Sequence, residues 1–400
     1  MAKHDSVQGR KKLSKVQKII ISVTSVILAL VLLYCTAVFS DIPFIKKWRG
    51  IYIETAMTTG KHQWLATAFI PRYIINDVMK AYHEGQALQD NLESKWETEG
   101  NNSNTVSKVQ TAEEKFYEKF WEVDKESLKA YMADKGITSY EKLLIENLEG
   151  EIDLKTTFDE KIKVLDSENN LLIVEVAGEQ YKGLLAIIKD SKQITVAKAQ
   201  RLGTHGDIIT KFAKDNNSLV AINASGFVDV NGNGDGGSVM GSMVLDGVEY
   251  GKPIEKLKFF GFKQDYKLYI ENYNSEGIAD YRWGVQFSPA LIVDGKKYVQ
   301  GTFGYGLQPR SAVAQTLDGE FLMLIIDGRQ VGHSIGATVD DLAAIMLRHK
   351  AYQAMNLDGG SSSIMNYRGK TISRPSSKNS LGRYLPNAFI CRFADQVEEE

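Results

Sequence analysis

The sequence predicts an α/β or α+β domain with a mixed sheet and flanking helices, preceded by one transmembrane helix and a helical membrane-proximal region. Three features lead to this prediction. An apolar run without charges covers residues 19–39, short β-rich runs separated by turn residues begin near residue 161, and a strand–helix–strand pattern lies between residues 321 and 358. The β-rich runs indicate a sheet, and the strand–helix–strand pattern indicates a helix that connects two of its strands.

The apolar run is long enough to cross a membrane, because a helix rises about 1.5 Å per residue and roughly 20 residues span the hydrocarbon core. Five basic residues lie between positions 10 and 18, whereas Asp41 directly follows the run. This bias favours a cytoplasmic N-terminus and an extracellular C-terminal domain. A cleaved signal peptide is the alternative, but Val38, Phe39 and Ser40 make a poor cleavage site. We therefore predict a cytoplasmic tail over residues 1–18 and a signal anchor over residues 19–39.

Composition divides the rest of the chain. We predict a membrane-proximal region over residues 40–85, a flexible linker over the polar residues 86–112, a helical region over 113–160 and a C-terminal domain over 161–396. The two cysteines, Cys35 and Cys391, cannot form a disulfide within that domain, so its core must stabilise it. The formal net charge of −2, with both signs interspersed, argues against nucleic acid as a partner.

The strand–helix–strand pattern brings polar residues to strand ends. An apolar strand over 321–327 precedes a helix that begins after Thr338, with Asp341 completing a capping box, and a second strand covers 354–358. We expect the two strands to be parallel neighbours, so that their C-terminal ends lie side by side.

Each strand end carries an aspartate followed by glycine. Asp327 and Arg329 follow the first strand, and Asp358 precedes two glycines and the serines at 361–363. Glycine lets the backbone turn sharply beside a ligand, and hydroxyl and backbone N–H groups can bind phosphate oxygens. A single Asp-Gly pair commonly makes only a turn. Two such pairs at neighbouring strand ends favour a binding site at this edge.

Five segments resemble the phosphodiester glycosidase family: AINASGF (221–227), QPRSAVAQT (308–316), LIIDGRQ (324–330), SIGATVDDLAAIM (334–346) and NLDGGSSSIM (356–365). Their order and spacing also resemble that family, and the last segment is the most specific. The family usually has Gly-Gly where this chain has Ala224-Ser225, and commonly a glycine in place of Ser361. These departures add side chains near the expected site.

The resemblance implies a pocket lined by Asn223, Arg310, Asp327, Arg329, Asp358, Gly359, Gly360 and Ser362. Arg310 and Arg329 are the expected phosphate clamp, because guanidinium donates paired hydrogen bonds and stays charged. A phosphate monoester is already a stable leaving group, so one carboxylate could suffice where glycosidases usually need two. We assign Asp358 as base or nucleophile and Asp327 to a supporting role or a contact with a sugar hydroxyl, although these two roles could be exchanged. Asn223 is expected to hydrogen-bond a sugar hydroxyl or amide.

Two further features could contribute to the site. Asp229, Asn231, Asn233 and Asp235 match the first half of a calcium-binding loop, but Met240 stands where that loop would place its glutamate. A calcium ion and a simple Gly/Asn turn are both compatible with this segment, and no cofactor is required by the expected chemistry. His333 lies near the same edge, where it could take an accessory proton-transfer role.

The expected function is therefore hydrolysis of a sugar-1-phosphodiester in a cell-envelope glycan or exopolysaccharide by an enzyme anchored in the membrane. One alternative is a phosphodiesterase that attacks phosphorus, and such enzymes usually use metal ions. Another is a non-catalytic protein that binds glycans or assists exopolysaccharide assembly.

Overall fold

The structure, a computed structural model, describes residues 14–96, 110–229, 234–379 and 381–397. The chain divides into two compact units, Met1–Val78 and Met79–Glu400. The helices are α1 (Lys15–Phe39), α2 (Pro43–Thr58), α3 (Trp64–Thr67), α4 (Arg72–Asp90), α5 (Ala112–Lys119), α6 (Lys125–Lys135), α7 (Ile209–Asp215) and α8 (Val339–Arg348).

The strands fall into three sheets. They are β1 (Leu144–Glu146), β2 (Ile162–Asp166), β3 (Leu171–Ala177), β4 (Lys182–Ile188), β5 (Ile194–Lys198), β6 (Ser218–Asn223), β7 (Ser242–Leu245), β8 (Val248–Gly251), β9 (Lys258–Lys263), β10 (Leu268–Asn272), β11 (Tyr281–Phe287), β12 (Ala290–Val293), β13 (Lys296–Lys297), β14 (Arg310–Thr316), β15 (Phe321–Ile326), β16 (Ala351–Asn356), β17 (Met365–Tyr367), β18 (Lys370–Thr371) and β19 (Asn387–Arg392). Nine strands form the largest sheet, in the order β1-β2-β3-β4-β15-β14-β16-β12-β13. Two five-stranded sheets have the orders β10-β9-β11-β7-β8 and β18-β17-β6-β19-β5.

The first unit contains the predicted membrane helix. Within the described residues, α1 is the one helix long and apolar enough to cross a membrane. Ser14 caps its start through a reciprocal pair with Gln17, and the Arg49 guanidinium donates to the carbonyls of Val38 and Ser40 at 2.9 Å near its end. These bonds satisfy backbone groups that a helix terminus leaves unpaired. The structure therefore supports a single membrane span or signal anchor, and its orientation stays a prediction.

The nine-stranded sheet forms the centre of the second unit, because both of its faces are covered. On β15, Leu322, Leu324 and Ile326 pack with the apolar residues of α5, α6 and α8. The alternate residues Met323 and Ile325 pack against the two smaller sheets. Alternate side chains on a strand point to opposite faces, so a strand covered on both sides must be apolar throughout, as FLMLII is. The predicted mixed α/β or α+β class is confirmed.

The predicted linker begins too early. Helix α4 continues to Asp90, the Gln89 side-chain amide donates to the Ala290 carbonyl at 3.0 Å, and Ser94 pairs with Ile270 of β10. Residues 86–96 are therefore packed on the domain, because their polar side chains pair with backbone groups that the sequence could not show. Residues 97–109 of the predicted linker lie outside the described residues. The predicted helical region, 113–160, likewise contains a strand, since β1 pairs with β2.

The strands around α8 are arranged differently from the prediction. β15 and β16 run in the same direction but are not neighbours, because β14 lies between them and is antiparallel to both. β14 and β15 form a hairpin across residues 317–320, a pairing that the strand–helix–strand interpretation overlooked. The capping box of α8 is confirmed, with the Asp341 backbone N–H donating to the Thr338 hydroxyl at 3.0 Å.

Candidate active site

A cavity of about 740 Å³ opens where β15 and β16 end and β14 begins. We call it the strand-end cavity. Since β14 runs opposite to its neighbours, its first residue, Arg310, lies between the ends of β15 and β16. The charged residues that line the cavity are Asp229, Arg310, Arg329, Asp358, Lys378 and Arg383. Glycines, serines, aromatic rings, Leu357 and the side-chain amides of Gln308, Asn356 and Asn379 form the rest of the lining.

A larger cavity, of about 1080 Å³, lies between the end of α4 and residues 253–258. Its buried cation, Lys258, donates to the Leu92 carbonyl and to the Asn272 side chain, both at 2.7 Å. Because those contacts already occupy its ammonium group, the larger cavity presents less unused binding chemistry. The strand-end cavity, which contains most of the predicted site residues, is the better candidate.

Asp358 lies in the wall of the strand-end cavity, directly after β16. Its backbone is fixed by Asn223, whose side-chain amide donates to the Asp358 carbonyl at 2.7 Å. Burial raises the pKa of the Asp358 carboxyl to about 6, while hydrogen bonding from Ser362 and the nearby Arg383 charge partly offset this effect. A carboxyl with such a pKa is mostly ionised at neutral pH yet basic enough to accept a proton.

Arg310 is a buried cation, with 3% of its surface exposed. Its guanidinium donates to the carbonyls of Ala337 and Gly306, at 3.1 and 2.6 Å. No carboxylate among the described residues lies at ion-pair distance from it. Burial accordingly lowers the pKa of Arg310 to about 10, so the group stays charged at neutral pH. A desolvated cation with unused donors beside a cavity is well suited to an anionic ligand.

Arg329 lies beside Gly360, which with Gly359 belongs to the loop that follows Asp358. It is exposed, has a positive φ of 59°, and donates to the Gln308 side chain at 3.1 Å. A Cβ atom at Gly360 would lie 3.1 Å from Nη2 of Arg329, and one at Gly359 would lie 2.8 Å from the Pro309 carbonyl oxygen. Both glycines therefore allow the loop to approach the arginine and β14 closely. The structure brings together Arg310, Arg329, Asp358 and the loop that the sequence singled out.

Asp327 is placed differently from Asp358. Its carboxylate accepts a hydrogen bond from the Arg374 backbone N–H at 2.8 Å and contacts Nε2 of His333 at 2.8 Å. Burial raises the pKa of Asp327, and the His333 and Arg374 contacts partly offset this. Neither Asp327 nor His333 is among the residues that line the strand-end cavity. The pair instead fixes residue 374, at the start of the segment that supplies Ser376 to Asn379 to the cavity wall.

Asn223 also does not line the cavity. It is fully buried, and its side-chain oxygen Oδ1 accepts hydrogen bonds from the Ser311 hydroxyl at 2.8 Å and from the Ile364 N–H at 3.3 Å. It therefore positions Asp358 from behind. Asn356 occupies the place expected for Asn223: it lines the cavity, and its Oδ1 is buried without a hydrogen-bond partner among the described residues. Its amide nitrogen donates to the Ser288 carbonyl, which orients the free oxygen.

Arg383 is a site residue that sequence reasoning missed. It lines the cavity, and its charge lowers the pKa of Asp358. No spacing signal marks it, because it lies in an irregular segment before β19. Two residues that depart from the family pattern, Ser225 and Ser361, lie in different surroundings. Ser225 is buried against Asn387, whereas Ser361 lines the cavity and contacts Arg383.

The predicted calcium loop is only partly described, since Asn231 and Asn233 lie outside the described residues. The Asp229 carboxylate contacts Arg383 and the Gly234 N–H, and Asp235 accepts from the Gly237 N–H. Within the described ranges, no group of three or more His, Cys, Asp or Glu residues is placed to hold a metal ion. Calcium binding at this loop stays a prediction.

The mixed α/β architecture and the strand-end cavity define a domain whose candidate site is lined by three arginines, a composition that suits an anionic ligand. Residues 216–392 match the family model described as phosphodiester glycosidase, so the predicted resemblance is confirmed for this part of the chain. The match includes every predicted pocket residue and supports a hydrolase-type function.

The individual proteins and structures that resemble this chain match only part of it. The SPbeta prophage-derived uncharacterized protein YomE of Bacillus subtilis (strain 168) is 32% identical over 185 residues, which cover 42% of this chain and 27% of that protein. The chain thus spans about a quarter of the length of this relative. The zebrafish N-acetylglucosamine-1-phosphodiester alpha-N-acetylglucosaminidase catalytic domain, auto-inhibited by its pro-peptide, is 20% identical with a TM-score of 0.46, covering 56% of this chain and 82% of that one. A hypothetical protein from Synechocystis is 15% identical with a TM-score of 0.42, covering 59% and 65%.

Proposed function

We propose that the C-terminal domain hydrolyses a sugar-1-phosphodiester by attack at the anomeric carbon. The observation that carries the proposal is the meeting of two groups in one cavity. Asp358 has its pKa raised to about 6, and Arg310 is a buried cation without an ion-pair partner among the described residues. The first suits a base or nucleophile and the second suits a phosphate, and the family match supports a hydrolase-type function.

Arg310 and Arg329 would bind the phosphodiester. As the bond between the anomeric carbon and the phosphate oxygen breaks, the electron pair stays on that oxygen and the phosphate gains negative charge. Arginines already in place stabilise this charge without reorganising, and they act strongly where burial excludes water. This role explains why Arg310 stays buried and positively charged.

Asp358 would act on the sugar side. As a general base, it takes a proton from a water molecule while the water oxygen forms the new bond to the anomeric carbon. As a nucleophile, it would form a glycosyl ester that water then hydrolyses, which returns the carboxylate. In both routes the products are a free sugar and a phosphate monoester. The unpartnered Oδ1 of Asn356 can accept a hydrogen bond from a sugar hydroxyl or acetamide N–H.

The test uses the full chain in detergent with methyl N-acetylglucosamine-1-phosphate diester, in water enriched in heavy oxygen. We expect the label in the released sugar and loss of turnover by about a thousandfold or more in Asp358→Asn. Asp327→Asn is the matched control, since Asp327 lies outside the cavity lining and should keep about a tenth of the activity or more. Label in the phosphate would instead establish attack at phosphorus. Glycan binding without any turnover would establish a binding protein.

The apolar helix α1 supports the proposal that the enzyme is anchored in the membrane with its domain outside, where envelope glycans are the available sugar phosphates. Protease added to intact cells should then degrade the C-terminal domain. Protection of the domain would contradict this orientation. Addition of a chelator to the turnover assay tests the predicted calcium ion, and we expect activity to persist because the proposed chemistry uses only Asp358 and the arginines.

A further inference from the structure

The Arg383 guanidinium is held by three contacts at the edge of the strand-end cavity. Nη1 donates to Oδ2 of Asp229 at 3.1 Å and to the Ser361 hydroxyl at 3.3 Å, while Nη2 donates to the Gly234 carbonyl at 3.2 Å. Its carbon Cζ lies 4.9 Å from the centre of the Phe227 ring. A long flexible side chain with this many contacts is confined to one position.

One of these contacts is a departure of this chain from the family pattern. Ser361 stands where a glycine is common, and it belongs to the loop that also carries Asp358 and Ser362. Its hydroxyl therefore links the loop to Arg383 across 22 residues of sequence. A glycine at position 361 could not make this contact.

Arg383 and Asp229 act on Asp358 in opposite directions. The Arg383 charge lowers the pKa of the Asp358 carboxyl, whereas the Asp229 charge raises it. The Asp229 carboxylate accepts from the Arg383 guanidinium at 3.1 Å and from the Gly234 N–H at 2.6 Å. Other groups that face Asp358 are the Ser362 hydroxyl and the Gly359 N–H, and the remaining charges on the cavity wall are Arg310, Arg329 and Lys378.

We propose that Arg383 is a positioning residue for the reaction, which keeps Asp358 ionised and is itself held in place by Asp229 and Ser361. The proposal rests on the role given to Asp358 in the proposed function. Arg383 favours the negative carboxylate that the reaction needs, and the Asp229 carboxylate is the ion-pair partner of Arg383, at 3.1 Å. Ser361 links the guanidinium to the loop through a hydrogen bond of 3.3 Å.

The ionisation of Asp358 can be measured without turnover. Carbodiimides react with protonated carboxyl groups, so mass spectrometry of the full chain after labelling at a series of pH values gives a midpoint for Asp358. The exposed Asp318 serves as the internal reference. We expect Arg383→Gln to raise the midpoint and Asp229→Asn to lower it, each by about half a pH unit or more. The acid limb of the kcat/KM profile should move in the same directions.

The conservative variants separate electrostatics from loss of structure. Arg383→Lys keeps the charge and should restore a midpoint close to that of the wild type. Ser361→Ala loses only one acceptor for Arg383, and we expect a smaller upward shift than in Arg383→Gln. The proposal is wrong if Arg383→Gln and Asp229→Asn shift the midpoint of Asp358 in the same direction or leave it unchanged. If the ion pair were purely structural, loss of either partner would have the same effect on that midpoint.

The labelling result is independent of the proposed function. If the wild type releases no sugar and the midpoints still shift in opposite directions, the proposed hydrolysis fails while the electrostatic control of Asp358 stands. If the wild type is active and the midpoints do not shift, the hydrolysis stands and the role of Arg383 is wrong.

Discussion

Burial raises the pKa of Asp358 to about 6, since the ionised carboxylate loses hydration that Ser362 and Arg383 only partly replace. The folded state therefore holds the proton more tightly than the unfolded state does. The resulting stability is fully present below the ordinary carboxyl pKa and is lost as the pH rises through the folded value. At neutral pH the domain therefore contains an ionised carboxylate that lowers the free energy of unfolding, which is common at reactive sites.

Replacement of Asp358 by asparagine should remove the stability cost of this buried charge. We expect Asp358→Asn to be more stable than the wild type by about 1–2 kcal/mol at pH 8, because one unit of pKa corresponds to about 1.4 kcal/mol and the cavity admits water. Below about pH 3 the difference should vanish, since the wild-type carboxyl is then protonated in both states. Thermal or urea unfolding at both pH values measures this. A gain of equal size at both values would show a packing effect instead, and Asp318→Asn provides the exposed control.

Arg310 leads to a prediction about ligand binding. Inorganic phosphate should raise the unfolding temperature of the wild type but not of Arg310→Gln, because a ligand that binds only the folded state stabilises it by mass action. At about ten times the dissociation constant, the expected gain is about 1.4 kcal/mol. Arg310→Lys should respond weakly, since it keeps the charge but loses the planar donor pair. Equal stabilisation of wild type and Arg310→Gln would place the phosphate elsewhere.

At the scale of elements, strand β14 determines the geometry of the site. It inserts between β15 and β16 and is antiparallel to both, so its first residue and their last residues meet at one edge. Strands are spaced by about 4.8 Å, which separates the ends of β15 and β16 by roughly 10 Å, with Arg310 between them. The insertion of β14 therefore places a guanidinium between the two strand ends that border the cavity.

The start of α8 supports Arg310, because the Ala337 carbonyl that accepts from its guanidinium immediately precedes the capping residue Thr338. We expect Thr338→Ala to lower the free energy of unfolding by about 1 kcal/mol and to weaken phosphate binding severalfold. Phosphate titration and chemical unfolding measure the two effects. Thr111→Ala removes the equivalent capping box of α5, which contributes no residue to the cavity, so it should lose similar stability and keep phosphate binding. Equal phosphate binding by Thr338→Ala and Thr111→Ala would show that the α8 cap does not affect the site.

At the scale of the whole molecule, a buried charge cluster ties the helical segment to the central sheet. The Lys189 ammonium lies 2.7 Å from Glu122 and 2.8 Å from Glu320, and its side chain is 1% exposed. Glu122 follows α5, Lys189 follows β4 and Glu320 precedes β15. Burial raises the pKa of Glu320 despite the lysine beside it. The cluster therefore joins parts of the chain that are distant in sequence.

Loss of the cation from this cluster should be severe. We expect Lys189→Met to lose about 3–5 kcal/mol of stability, because two buried carboxylates would remain without compensation. Lys155→Met is the matched control, since Lys155 forms a surface pair with Asp159 and both side chains are exposed. It should unfold at the wild-type temperature. Similar unfolding temperatures for the two variants would contradict an important role for the cluster.

The sequence by itself determined the features that are local. The apolar span of α1, the capping box of α8 and the alternation of buried strands follow from residue spacing, because each depends on a fixed helical or strand period. The resemblance to a known family was equally visible, because its segments are contiguous. It singled out Arg310, Arg329, Asp358 and the Gly-Gly loop, all of which line the strand-end cavity.

Only the tertiary structure decided which side chains face the cavity. Asp327 and Asp358 follow strand ends in similar sequence contexts, yet one pairs with His333 and the other lies in the cavity wall. Asn223 turned out to hold Asp358 from behind, while Asn356 and Arg383 took places that the sequence did not mark. The direction of a side chain at a strand end depends on which segment packs beside it. That neighbour is set by long-range strand order, such as the insertion of β14, which no local period encodes.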